Sequence, residues 1–373
     1  MTDCLGIPEI SFDDLAVRLY DASQRFPIAG ALELTERCNL RCVHCYVRRP
    51  AGDLEAKSRE LSYGQWASIL DELADMGCLK LLLTGGEVLL HPDFADIYIH
   101  ARKKGLVVTV FTNGTLLNER WADLFAEWPP FLLSISLYGA SEETYARMTG
   151  VAGLYARLLH NIDLLRERDV LLDLKAVLTT VNHHEYQAMK EYVTGLGLEM
   201  RHDAIMWPGV EGVEPTCALR LAPKVIAELD FGDEERAQLW LEQNQGQLAA
   251  SNSGYIYSCG AGLRGFYVNA QGRIGLCVMS RATEYSVVEG SFREGWETVL
   301  PQVRFQETTR DWACVHCDIA ALCVNCPAFA EWENGDPETV VPYLCQVAQA
   351  RAEKLGLDLA PGAWVVNSHE GVR

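Results

Sequence analysis

From Ala31 to about Pro208, short apolar runs alternate with longer stretches in which apolar residues recur at helical spacing. The apolar runs are ALELT (31–35), LKLLLT (79–84), LVVTVFT (106–112), FLLSISLY (131–138), LLDLKAVLTT (171–180) and LEMRHDAIM (198–206). Runs of this length between turn residues read as strands, and the segments between them as helices. Ser62 is placed to cap a helix running to Met76, with Trp66, Ile69, Leu70 and Leu73 on one of its faces. Strands joined by helical crossovers lie parallel with right-handed connections. The expected class is therefore α/β. Six such units make either an open doubly wound sheet or a partial barrel, and periodicity alone does not separate the two.

The alternation stops at residues 209–250, which read as a linker with helices. From Ser251 the character changes. RGFYV and RIGLCV flank Asn269-Ala270-Gln271-Gly272, a β-hairpin signature in which Gly272 takes the left-handed position. A cysteine-dense loop region at 314–326 and a final helix from about Glu338 to Lys354 complete the chain, which has no internal repeat. With 373 residues, 49% of them hydrophobic and 22% charged, the chain is long and apolar enough for a sizeable core. A formal net charge of −19 disfavours a nucleic-acid partner. No apolar run reaches the length of a membrane span, and the acidic start MTDCLGIPEISFDDLAVRLYD is unlike a secretory signal. A cytoplasmic location is expected.

Thirteen cysteines change the picture. In a reducing compartment clustered cysteines read as metal or cluster ligands in preference to disulfides, and the odd count agrees. Cys38, Cys42 and Cys45 stand as C-x3-C-x2-C directly after the first strand. Three thiolates on one tight loop can hold three irons of a cubane cluster and leave the fourth open to a small molecule. A structural zinc loop is the competing reading, with His44 as the fourth ligand that such zinc requires. Farther on come Cys259, Cys277, then Cys314-x2-Cys317-x5-Cys323-x2-Cys326, and Cys345. By spacing alone the two C-x2-C pairs suit a zinc ribbon at least as well as an iron–sulfur cluster.

The first cysteine loop resembles that of the radical S-adenosylmethionine (radical SAM) enzymes, with His44 at the position where the family places an aromatic residue. Thr84-Gly85-Gly86-Glu87 resembles the family's GGE element, whose backbone receives the methionine amino group, although Val88 replaces the usual proline. Thr112-Asn113-Gly114-Thr115, Ser134-Ile135-Ser136-Leu137 and Lys175-Ala176-Val177 match positions that face the nucleoside. The resemblance covers residues 29–208 and implies a partial (β/α)6 barrel with its chemistry at the C-terminal strand ends. It implies that Tyr46 and Val177 lie near adenine, that Asn113 also contacts the cofactor, that Ser136 binds ribose and that Arg147 reaches the carboxylate. The later cysteines resemble the SPASM extension of these enzymes, with x2 before Cys326 where that pattern has x3. Carried over, Cys314, Cys317, Cys323 and Cys345 close one auxiliary [4Fe–4S] cluster, and Cys259, Cys277 and Cys326 hold a second. Where some relatives add a cysteine to the second, this chain has Gly265. Three clusters and SAM are thus the implied cofactors. Cys4, Cys78 and Cys217 remain, Cys78 as a small buried hydrophobe and Cys217 as a weak candidate for substrate handling.

The implied organisation is an N-terminal segment (1–28), the barrel (29–208), the linker (209–250), a SPASM domain with the hairpin (251–356) and a tail (357–373). The implied chemistry is reductive cleavage of SAM to a 5′-deoxyadenosyl radical that takes hydrogen from a substrate, the auxiliary clusters accepting the electron left behind. A ribosomally made peptide, receiving a cross-link or thioether, is the leading substrate class. A tetrapyrrole side chain or a small metabolite is the alternative, and an iron–sulfur electron carrier is the non-enzymatic one. Val278, directly after Cys277, stands where the sulfatase-maturing branch has an acidic group. The implied partners are a separate leader-peptide-binding protein and a flavodoxin- or ferredoxin-type electron donor. No catalytic side chain is singled out.

Overall fold

The computed structural model describes residues 25–46, 49–209, 216–232, 237–238, 254–280, 283–311, 313–317, 319–323 and 326–357. Cys4, most of the N-terminal segment, much of the linker and nearly all of the tail lie outside the described residues. The strands are β1 (Ala29–Glu33), β2 (Arg37–Cys38), β3 (Arg49–Pro50), β4 (Lys80–Thr84), β5 (Val107–Thr112), β6 (Leu132–Ser136), β7 (Leu172–Val177), β8 (Met200–Asp203), β9 (Gly265–Val268) and β10 (Ile274–Gly275). β1, β4, β5, β6, β7 and β8 form the expected parallel series, and β2 pairs with β3 apart from it.

Period-two alternation gives this sheet two different faces. Leu81, Leu83, Val108, Val110, Leu133, Ile135, Leu172 and Leu174 pack with Trp66, Ile69, Leu70 and Leu73 of the helix Tyr63–Asp75, which Ser62 caps. The residues between them point the other way and are mostly polar: Thr84, Thr109, Ser134, Ser136, Asp173, Lys175 and Arg201. We call this the inner face. A surface of that composition is not a second core; it is the wall of a site.

The hairpin differs from expectation in where it attaches. β9 and β10 pair antiparallel as expected, with Gly272 at φ +75°, but β9 also pairs parallel with β1, Ala29 opposite Gly265. The cysteine-rich segment therefore extends the barrel sheet to eight strands, in the order β10-β9-β1-β4-β5-β6-β7-β8. This is also why β1 starts two residues before the apolar run that announces it. On its helical side Gly30 leaves room for the Phe266 ring, which meets Phe292 at 4.7 Å and Trp296 at 6.3 Å between centroids. At the other end, β7 stops at Val177 because Asn182 Nδ2 donates to the Val177 carbonyl (3.0 Å) and Asn182 Oδ1 accepts from Thr179 N (2.8 Å). The last helix is shorter than expected, Pro342–Lys354. Glu338 stays outside it, its carboxylate accepting from Thr309 N (2.9 Å) and Oγ1 (2.8 Å). A helix Pro327–Asn334 fills the gap after the cysteine loop.

Any side chain at position 30 collides with the Phe266 ring. Gly30→Val is therefore expected to cost about 1–3 kcal/mol as overpacking, and Phe266→Ala in the same chain to recover part of it. Urea midpoints of the two single variants and the double variant measure the coupling; strict additivity would show that the strand and the ring do not meet.

Candidate active site

The three-cysteine loop leaves the end of β1 and is braced from three directions. From below, Gly86 N donates to the Thr35 carbonyl (2.7 Å) and Glu87 N to the Arg37 carbonyl (2.8 Å). A Cβ on Gly86 would stand 2.5 Å from the Glu36 oxygen and 2.6 Å from the Arg37 oxygen, and one on Gly85 2.5 Å from the Thr35 oxygen. From the side, Arg41 N donates to the Thr149 carbonyl (2.8 Å) and Val43 N to the Met148 carbonyl (2.9 Å), both in the last turn of the helix Glu142–Thr149. Gly150, at φ +69°, ends that helix against the Arg41 oxygen. The third brace is a buried ion pair. Arg37 Nε and Nη2 bond Glu60 Oε1 (2.6 Å) and Oε2 (2.9 Å), and its remaining donors reach the Ala51 (3.1 Å) and Leu90 (3.0 Å) carbonyls.

Side chains from neighbouring strand ends close on this loop. Asn113 Nδ2 donates to Asn39 Oδ1 (2.9 Å) and lies 3.7 Å from Cys38 Sγ; Thr115 Oγ1 donates to Asn113 Oδ1 (2.6 Å) and accepts from Asn39 Nδ2 (2.8 Å). Glu87 is buried, and its carboxylate accepts from Leu89 N (3.2 Å), Thr112 Oγ1 (2.7 Å) and Asn113 N (2.7 Å). Burial raises its pKa against those three donors. His44 meets the Tyr138 ring edge-on at 4.5 Å, and the Tyr138 and Ser136 hydroxyls are hydrogen-bonded. Burial pushes the Cys38 thiol up to about 12, with the negative charges of Glu87 and Cys45 adding to the effect. A thiolate here needs a compensating cation, which is what cluster iron supplies.

The later cysteines fall into two neighbourhoods. Cys323 feels the charges of Cys345, Cys314 and Cys317, and burial holds it up at about 12. Cys326 is pushed to about 11, chiefly by burial, in the company of Cys277 and Cys259. Each neighbourhood is fastened by a buried arginine. Arg351 bonds Asp230 Oδ2 through Nε (2.9 Å) and Nη2 (2.7 Å), and its Nη1 donates to the Leu322 carbonyl (2.8 Å) beside Cys323. Arg304 donates to the Tyr257 carbonyl and to that of Cys259 (3.2 Å). Among the described residues no group of three such side chains is placed to hold a single metal ion.

Residues 32–193 match the family model described as the radical SAM superfamily. The barrel is a radical SAM domain. The chain is 27% identical over 345 residues to the AdoMet-dependent heme synthase of Methanosarcina barkeri, covering 84% of this chain and 95% of that one. It is 31% identical over 172 residues to the antilisterial bacteriocin subtilosin biosynthesis protein AlbA of Bacillus subtilis, a match of 46% of this chain and 38% of AlbA. In fold it resembles Streptococcus suis SuiB bound to S-adenosylmethionine, with a TM-score of 0.65 at 17% identity over 86% of this chain and 78% of SuiB.

Against this frame the expected SAM contacts sort into two sets. Gly85, Gly86, Glu87, Asn113 and Ser136 gather at the C-terminal ends of β4, β5 and β6, around the radical SAM loop. Tyr46 is partly buried nearby and feels the charges of Glu33, Cys45 and Cys277. Val177 ends β7 on the inner face, opposite Asp203. Arg147 stands exposed on the helix whose last carbonyls brace the loop. The glycines of the GGE element also do something that the resemblance did not imply, admitting the cysteine loop itself. Cys78 is buried, with its Sγ 3.6 Å from the Ile28 carbonyl, and Cys217 lies half-buried in the turn Cys217–Leu219. Gly265, inside β9, offers no side chain to a cluster. Sequence reasoning passed over Asn39, Tyr138 and the Glu33–Tyr267 pair. Asn39, inside the loop, and Tyr138, two residues after Ser136, were within reach; the Glu33–Tyr267 contact arises only once β9 pairs with β1.

Two outcomes follow. Gly86→Ala should leave the overall fold intact by circular dichroism but lower reconstituted iron by about four atoms per chain, the content of the loop's own cluster. Glu33 accepts a hydrogen bond from the Tyr267 hydroxyl, and burial, aided by Glu36, raises its pKa from 4.5 to about 8. The folded chain thus keeps a proton that the unfolded chain releases, so this part of its stability is present at low pH and lost as pH climbs toward about 8. Urea midpoints should fall between about pH 5 and about pH 8 in the wild type and fall less in Glu33→Gln.

Proposed function

We propose that this radical SAM protein is an enzyme that cleaves S-adenosylmethionine reductively and abstracts hydrogen from a substrate bound on the inner face. A [4Fe–4S] cluster on Cys38, Cys42 and Cys45 supplies the electron for that cleavage. The observation that carries the reading is the bracing of this loop by Gly85 and Gly86 directly beneath it, with Asn113 against Cys38. Glu87, held by three donors, sets the turn after the glycines. The two cysteine neighbourhoods, Cys314, Cys317, Cys323 and Cys345, and Cys259, Cys277 and Cys326, are assigned to two auxiliary clusters. Clusters held there would take the electron left on the oxidised substrate.

A ribosomally made peptide is the substrate class we put first. It is supported by the names of AlbA and of SuiB, a structure of which holds the precursor peptide SuiA. A tetrapyrrole is the second reading, favoured by one specific observation: the heme synthase aligns along nearly its whole length, AlbA along 38% of its own. A separate leader-binding protein, an electron donor of flavodoxin or ferredoxin type and a cytoplasmic setting belong to the same proposal. No helix among the described residues is long and apolar enough to cross a membrane.

Anaerobically reconstituted protein should hold about 12 irons per chain, and the Cys38, Cys42, Cys45 triple-Ala variant about eight. Under dithionite the wild type should convert S-adenosylmethionine to 5′-deoxyadenosine and the triple variant should not. Zinc together with about four irons would overturn the auxiliary assignment, and undiminished cleavage by the triple variant would overturn the assignment of the loop.

A further inference from the structure

The helix Glu142–Thr149 gives the cysteine loop more than its last carbonyls. Tyr145, Met148 and Thr149 are spaced three and four residues apart, so they share one helix face, and all three are fully buried. The carbonyls of Met148 and Thr149 hold Val43 N and Arg41 N, the residues on either side of Cys42. Tyr145 stands one turn earlier on the same face. Its carbonyl accepts from Thr149 Oγ1 (2.8 Å), and its ring lies 5.6 Å from that of Tyr155 between centroids. Packing accounts for the ring. It does not account for the hydroxyl, which among the described residues is buried without a hydrogen-bond partner.

A buried tyrosine hydroxyl normally finds a partner, because one without gives up its hydration for nothing in return. The neighbours indicate which partner suits this one. After burial itself, the groups acting on the hydroxyl are Cys42 first, then Glu87, Glu142 and Cys38. Both carboxylates are engaged by other donors, Glu87 by Leu89 N, Thr112 Oγ1 and Asn113 N, and Glu142 by Gly153 N and Tyr155 N. That leaves the two cysteines and what they hold. Tyr138, which also feels the charge of Cys42, differs in having its hydroxyl bonded with Ser136. We propose that Tyr145 Oη donates a hydrogen bond to sulfur of the iron–sulfur cluster on Cys38, Cys42 and Cys45, either Cys42 Sγ or a sulfide beside it, and so makes that cluster easier to reduce. Reduction adds negative charge to the sulfurs, and a donor aimed at them stabilises the reduced form more than the oxidised one. The proposal rests on the reading of the loop given above.

The test uses the reconstituted holoenzyme without S-adenosylmethionine. The wild type is compared with Y145F, which keeps the ring, and with Y98F, which removes a buried hydroxyl that donates to the Trp128 carbonyl (2.6 Å) in the helix-side core. Circular dichroism and iron content confirm that each variant folds and fills. The signal of the loop cluster is the one that the Cys38, Cys42, Cys45 triple-Ala variant lacks. In paramagnetic resonance of reduced samples prepared in light and heavy water, that signal should show an exchangeable proton coupling that Y98F keeps and Y145F loses. Potentiometric titration of the same signal should find Y145F about tenfold harder to reduce, a downward shift of about 59 mV for one electron, and Y98F unmoved. A wild-type signal with no such coupling, a coupling that persists in Y145F, or a potential that does not fall overturns the inference. An effect that appears only after S-adenosylmethionine is added assigns the hydroxyl to that molecule and overturns it equally. Failure of the loop reading looks different: the wild type would then hold no more iron than the triple-Ala variant, and the signal to be compared would be missing from both.

Discussion

The contact on which the rest depends is between backbone and backbone. The carbonyls of Thr35 and Arg37 accept from Gly86 and Glu87 at 2.7 and 2.8 Å, with no side chain between the two loops. A methyl group at either glycine would stand 2.5 Å from a carbonyl oxygen, well inside the closest approach of real contacts. Everything above this seam inherits its position from it. The cysteine loop lies at a fixed height over β4, the Glu87 carboxylate is turned toward β5, and through Asn113 the thiol of Cys38 is tied to the end of that strand. Hydrogen bonds between main chains are short and leave little slack, which is the rigidity that a site holding a reactive species requires.

The sheet divides its labour by face. One side buries leucine, isoleucine and valine against helices and supplies the apolar burial; the other side carries hydroxyls, carboxylates and two cations. The polar side adds little to stability and is maintained by pairing: Asp173 with Arg201, Glu33 with Tyr267, Ser136 with Tyr138. The cysteine-rich region follows a different rule. Its elements are short, and buried arginines hold them by their carbonyls, Arg351 at Leu322 and Arg304 at Tyr257 and Cys259. Such clamps keep thiols near one another at positions where burial disfavours their ionisation.

Much of this was legible in the residues. The six parallel strands, the capped helix after Ser62 and the hairpin around Gly272 announce themselves through alternation, helical spacing and turn chemistry, all of which are local. The grouping of Cys314 with Cys345 and of Cys326 with Cys259 came from resemblance; spacing alone left zinc open. What stayed hidden depends on contacts between segments far apart in the chain. Nothing near Gly265 shows that it will lie beside Ala29, so the hairpin reads as part of a separate domain. Nothing around Arg147 shows that its helix offers the loop its carbonyls and leaves this guanidinium outside.

The pairing of β9 with β1 has a bearing on how the chain is made. β1 leaves the ribosome shortly before β4 and can dock on it soon afterwards, but β9, which covers its other edge among the described residues, emerges much later. For that interval the nascent barrel presents a short apolar edge, Ala29 to Leu32, of the kind that recruits strands from other chains. The same late event covers that edge, brings the Phe266 ring over Gly30 and delivers Cys277 to the neighbourhood of Tyr46 and Cys45. Cover of that edge and the approach of Cys277 to the three-cysteine loop are thus completed by one strand, so a chain truncated before β9 keeps an exposed apolar edge and lacks that cysteine.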